Sequence, residues 1–369
     1  MKFSCNRELL LKNLHLAQRA TDQKNRVPVL RNVLFELSGN KLSMTGFDHR
    51  IGIKAAIECS GEGDGRITVP CQLLLDVLGV MMDNMVYFNL DDTVMSMECG
   101  RSKYNFNCIP ADDFPPFPKS DGKEAFEIGK DMLEKGIKQT VFATNPDDAR
   151  AFMGGVLLKT EKEKKEVRFI STDGHRLAMR VFVVEGSVPE TQAIVPTRTL
   201  SEVLRVIQDA KENTAKITID EKQSISFKAD GVLIVSRLVE AEYPKYERVI
   251  PSVSEGSCRV NRQRLLSAVR GASIMACSKE NRDIIEMSIN DENIRFTSAT
   301  KDVGSANEEV EINKKGKDVR IAFNSKYIID FLNAVEEDEV VIEYKDELDP
   351  GHFHTDMPDY TYVLMPVKV

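Results

Sequence analysis

The 369 residues include no tryptophan, only five histidines (15, 49, 175, 352 and 354), and no apolar run near the eighteen or so residues a membrane-crossing helix needs. Arg7 and Glu8 interrupt anything resembling a signal-peptide core behind Lys2. The seven cysteines (5, 59, 71, 99, 108, 258 and 277) are scattered without a C-x-x-C pair. That spacing argues against a thiolate metal site and a disulfide framework, and it fits a reducing cytoplasm. There is no phosphate-cradling glycine loop, no nucleophile elbow and no calcium-loop spacing. An enzyme reading is left with Asp173 or His175 as a general base in one polar turn, without a second catalytic member. No metal and no cofactor are expected. A net charge of −8 excludes an indiscriminately sticky nucleic-acid binder. It does not exclude a protein that gathers its cations on one surface.

What is present is a folded, soluble composition, 42% apolar and 29% charged. The length implies two to four domains. Internal repetition narrows this. Segments starting at Met1, Glu124 and Gly256 each read as a short strand, a polar residue able to cap, and an amphipathic helix. A second strand-helix set starts at Ile67, Ala193 and Val319, with Pro70 and Pro196 falling 126 residues apart. A third, strand-rich set starts at Asn32, Gly154 and Ile285. The chain is therefore expected to be α+β, three copies of one module with two helices and antiparallel sheets each, over residues 1–121, 122–253 and 254–369. Proline- and aromatic-rich stretches, Ile109 to Lys119 and Glu242 to Pro251, mark the first two module ends.

The helices carry cations repeatedly. Lys12, His15 and Arg19 share a face of the first, Lys135 and Lys138 lie in its second copy, and Arg262, Arg264 and Arg270 in its third. Arg198, Arg205 and Lys326 recur in the other helix of the module. The expectation is a basic surface built on equivalent helices, with the acids elsewhere. Near the middle of the chain, STDGHRLA (Ser171 to Ala178) joins two strand-like stretches through Asp173-Gly174, a tight-turn signal. The turn is expected to set Thr172, His175 and Arg176 as a polar rim beside Leu177.

Seven ordered stretches carry a resemblance over the whole chain: MKF at the start, VPVLRNVLFEL, GRSKYNF, ADDFP, TDGHRLA, YPKYERVIP and the terminal YVLMPVKV. Together they resemble the bacterial DNA sliding clamps, the β subunits of replicative polymerases. The resemblance implies a non-catalytic processivity factor, a homodimer closed head to tail into a ring, with helices facing duplex DNA and sheets outside. It implies a clamp loader and replication proteins as partners, held through short clamp-binding peptides. The implied peptide cleft comprises Met153, Gly155, Thr172, Gly174, His175, Arg176, Leu177, Pro244, Val249, Val363 and Met365, with Leu348 and Pro350 on its far wall. Pro350 to His354 (PGHFH) departs there from the usual aliphatics. DNA contacts are implied at Lys24, Gln72, Phe152, Arg198 and Arg248, and the dimer interface at Tyr104 and Phe106 facing Ile274 and Met275. The alternative is a scaffold that binds peptides without encircling DNA.

Overall fold

A computed structural model describes residues 1–369 except 119–123, 221–222, 277–282, 301–303, 358 and 369, so Cys277, Lys119, Val369 and the 121/122 module boundary lie outside the described residues. Six α-helices occur among the described residues: α1 (Arg7–Gln18), α2 (Cys71–Val80), α3 (Lys130–Lys138), α4 (Thr197–Asp209), α5 (Arg262–Ala276) and α6 (Ser325–Ala334). Each follows a strand directly, as the repetition requires. The caps repeat as well. The Asn6 carboxamide accepts from the Leu9 amide at 3.0 Å, Asn261 from Arg264 at 3.0 Å and Asn324 from Lys326 at 2.9 Å. Each cap satisfies one of the orphan amide donors that every helix start leaves open.

The chain forms two compact units, Met1–Lys130 with Ser201–Leu238, and Asp131–Leu200 with Val239–Val369. Among the described residues the first contains a five-stranded and a nine-stranded sheet, and the second a nine-stranded and a four-stranded one, all paired antiparallel. Sheet pairing crosses the expected module junctions. Ile51–Glu58 pairs with Val232–Arg237, Gly52 opposite Val235, so a strand expected in the central module extends the first module's sheet. In the second unit Arg176–Val183 pairs with Tyr360–Leu364, Leu177 opposite Val363.

The cores follow from the amphipathic patterns. In the first unit Leu10 and Leu14 of α1 and Leu74 and Leu78 of α2 are fully buried with Phe35 and Phe88. In the second, Leu265 and Val269 of α5 and Ile328, Phe331 and Leu332 of α6 pack with Phe353, Tyr360 and Tyr362. The Phe331 ring stacks on Tyr362 at 5.2 Å and on Tyr360 at 6.0 Å. Each such side chain contributes about 1.5–3 kcal/mol on burial. Among the described residues no helix is long and apolar enough to cross a membrane. The six described cysteines are free thiols, and burial pushes Cys5, Cys71 and Cys258 up to about 12.

Candidate functional site

The Asp173-Gly174 turn joins Glu166–Thr172 to Arg176–Val183, with Thr172 opposite Leu177. Gly174 has φ +85°, a left-handed conformation that side chains resist, and a Cβ there would lie 3.1 Å from the Met153 methyl. The turn is held from inside by Asp173, whose carboxylate accepts from the amides of His175 (3.0 Å) and Arg176 (3.1 Å). The same carboxylate accepts from Arg176 Nε at 2.9 Å.

Beside the turn lies an apolar hollow of about 160 Å³ lined by Met153, Thr172, Gly174, Arg176, Leu177, Pro244, Val249, Val363 and Met365, all among the cleft residues that the resemblance implies. Phe152, Lys245 and Tyr246 complete it. Val249 and Met365 also line a larger hollow of about 620 Å³, with Arg248, Val253, Pro350 and His352. The two hollows therefore adjoin across these two side chains. The smaller hollow is mainly apolar, while half of the residues lining the larger are polar or charged, so together they suit an extended peptide that bears aliphatic and aromatic anchors beside polar groups.

Several expected roles need correcting. Arg176 is not a rim residue: it is only 6% exposed. Its guanidinium reaches Asp330 at 2.7 Å and the Phe142 carbonyl at 2.6 Å, and lies 4.2 Å from the centre of the Tyr327 ring. Burial works to discharge it, but Tyr362, Asp330 and Asp173 more than offset this and hold its pKa above the ordinary arginine value. Met365 is 39% exposed at the junction of the hollows, and the floor is Leu177 with Val363. Gly155, His175 and Leu348 line neither hollow. Gly155 is a packing position, where a Cβ would come within 2.5 Å of the Val195 carbonyl oxygen. The His175 ring stacks on Tyr327, and its carbonyl accepts from the Met365 amide at 2.9 Å, which ties the tail to the turn. Leu348 is exposed.

Phe152, expected to touch DNA, lines the cleft and packs edge-on against Tyr243 at 5.5 Å. With Tyr243 and Tyr246 at 6.4 Å it forms an aromatic wall, foreshadowed only by the tyrosines in YPKYERVIP. Lys24, Arg198 and Arg248 are exposed. Gln72 is exposed in the first turn of α2 and bonded to Gln18 at 2.5 Å and Asp76 at 2.8 Å.

The helix cations are less bare than their repetition suggests. Lys12 pairs with Asp209, Arg19 with Glu202, Lys135 with Glu336, Lys138 with Glu134 and Arg264 with Glu311. Arg262 caps the α6 end through the Leu332 and Glu337 carbonyls. The expected separation of acids from these helices therefore does not hold at those positions. Of the expected interface residues, Ile274 is 67% and Tyr104 36% exposed, and Met275 is half-buried. Phe106 is 2% exposed and belongs to the first unit's core, so its own chain already consumes it.

Family models for the DNA polymerase III beta subunit match three successive stretches: the N-terminal domain at 1–118, the central domain at 127–245 and the C-terminal domain at 247–368. The chain belongs to the DNA polymerase III beta subunit family. It is 30% identical to the beta sliding clamp of Synechococcus elongatus, over the full length of both chains. The crystal structure of the DNA polymerase III subunit beta from Pseudomonas aeruginosa superposes with a TM-score of 0.93 at 28% identity, covering all of both chains. The DNA polymerase sliding clamp of Bacillus subtilis gives 0.94 at 25% identity, over 100% of this chain and 99% of that one. The fold is thus the three-domain α+β clamp fold, and the chain is a non-catalytic processivity subunit rather than an enzyme.

Proposed function

We propose that two copies of this chain close head to tail into a ring around duplex DNA, and that partners dock by short peptides in the cleft beside Gly174. The modules are 1–121, 122–253 and 254–369, and the ring acts in the cytoplasm, where replication takes place. A clamp loader opens it, and the replicative polymerase and other replication proteins take turns in the cleft.

The mechanism is topological. Contacts to phosphates carry no sequence information and weaken with salt, so they position DNA without fixing a register. Because many helix cations already have acidic partners, each contact is weak, and a closed ring holds its template regardless. Tethering then makes polymerase rebinding nearly intramolecular, which raises effective concentration without any new contact. Lys24, Arg198 and Arg248 would contribute the phosphate contacts, and Ile274 with Tyr104 the ring closure.

The observation that carries the reading is the adjoining pair of hollows, the smaller mainly apolar and the larger mixed, which share Val249 and Met365 in a chain of this family. The test is retention on circular DNA. A loaded ring should co-migrate with nicked plasmid and be released when the plasmid is linearised. A protein that binds clamp-binding peptide but never survives on the circle would be the peptide scaffold instead.

A further inference from the structure

We propose that Glu343, His352 and His354 form a binding site for a divalent transition-metal ion of the zinc class. His352 and His354 lie two residues apart in Gly351–His354, so they share one face of the strand, while Phe353 between them is buried in the core. Antiparallel pairing sets Glu343 of the neighbouring strand directly opposite His352. The sequence departure PGHFH thus acquires a carboxylate that lies outside the motif itself.

The donor geometry fits. His352 Nδ1 lies 2.9 Å, and His354 Nε2 3.7 Å, from the same Glu343 Oε2. These bracket the roughly 3.3 Å that separates two ligands of a tetrahedral zinc with bonds of about 2.0–2.1 Å. One ligating atom from each residue falls within 4.8 Å of the other two. His354 is prepared for the role. Its Nδ1 sits 2.8 Å from the Thr355 carbonyl, which can only accept, so the proton is held there and Nε2 presents its lone pair. Two imidazoles select zinc, nickel, cobalt or copper over calcium and magnesium. Asp356, the nearest further carboxylate in the chain, is engaged by Arg259 in a two-pronged pair, so three protein ligands leave a position open.

The His352 Nε2 is buried with no partner among the described residues. A metal at Nδ1 moves the ring proton to that nitrogen, where a buried donor without an acceptor costs free energy and keeps the affinity moderate. Glu343 and His352 also line the larger hollow, so the proposal rests on their geometry and not on peptide binding there.

The test is calorimetric titration of the chelator-treated full-length protein with zinc chloride, repeated with cobalt for its spectrum. One equivalent per chain is expected at micromolar affinity. Glu343→Gln and His354→Ala should each weaken it tenfold or more, and the tetrahedral cobalt bands should lack thiolate charge transfer. Zinc should raise the melting temperature of the wild type and not of the double variant. Glu343→Gln preserves shape, so it decides the matter if a histidine variant folds poorly. Absence of uptake at millimolar zinc, unchanged uptake in the variants, or thiolate charge transfer would each overturn the proposal.

Discussion

Replacing Arg176 with alanine separates a structural role from a peptide-contacting one. The guanidinium is buried and joins Asp173 at 2.9 Å, Asp330 at 2.7 Å and the Phe142 carbonyl at 2.6 Å. Removing one member of a buried ion pair costs roughly 3–5 kcal/mol, because the abandoned charge stays in low dielectric. Two features pull toward the lower end. Asp173 keeps its two backbone amide donors, and the Asp330 side chain is 25% exposed. The cation–π contact with Tyr327 adds about 0.5–2 kcal/mol in the other direction. The expected loss is therefore about 3–4 kcal/mol, more than a hundredfold in the folding equilibrium. Urea unfolding can follow it by near-ultraviolet tyrosine signals, since there is no tryptophan and Tyr327 and Tyr362 lie around this arginine. Arg176→Lys should recover only part of the loss, since an ammonium lacks the planar fork that reaches three acceptors. A variant within about 0.5 kcal/mol of wild type that nevertheless loses peptide affinity would refute the structural role, since that range is typical of surface changes.

Other expectations follow from burial. Ile274→Asp, at an exposed position that its own fold does not need, should give a folded monomer by sedimentation, with dimer affinity weakened by several kcal/mol; Phe106 variants should instead unfold the first unit. Neutralising Arg198 and Arg248 together should weaken DNA association alike for all duplex sequences, measured by fluorescence anisotropy. The salt slope should fall by up to about 0.9 for each phosphate that is no longer neutralised. Met365→Ala should leave the melting temperature unchanged and reduce peptide affinity by roughly 1–2 kcal/mol in calorimetry, whereas Leu177→Ala should destabilise the fold by about 2–5 kcal/mol. The thiols of Cys5, Cys71 and Cys258, pushed up to about 12, stay protonated at pH 8, so iodoacetamide should label them only after denaturant is added, as peptide mass mapping would reveal.

Local structure was legible because it depends on local chemistry. Asn6, Asn261 and Asn324 announce three helix starts, and each makes the capping bond its position implies. Asp173-Gly174 announces the hairpin, and Gly174 takes the positive φ that needs glycine. Illegible were the partners a side chain finds at long range. Nothing near Arg176 in sequence betrays Asp330, 154 residues away, so an arginine in a polar turn reads as rim when it is core. The cations of α1, α3 and α5 read as free for the same reason, because Asp209, Glu336 and Glu311 lie on other elements. Phe106 shares a strand face with exposed Tyr104, and only packing depth tells them apart.

The turn at the cleft also explains why no single module could provide this site. Thr172, Gly174 and Leu177 come from the segment matching the central domain, while Val363 and Met365 come from the segment matching the C-terminal one. Strand pairing between Leu177 and Val363 makes the floor one continuous sheet across that boundary. The Arg176 guanidinium then ties the turn to Asp330 and Tyr327 on α6, and the Met365 amide bonds back to the His175 carbonyl. Hydrophobic floor, buried charge and tail are thus three independent couplings between the two segments. Each acts only when the other segment is folded against it, so the geometry of the cleft and the stability of the junction are set by the same residues. Substitutions that alter peptide affinity here should therefore divide sharply. Exposed Met365 and Val249 should act on affinity alone, whereas Leu177, Val363 and Arg176 cannot change without loosening the junction itself.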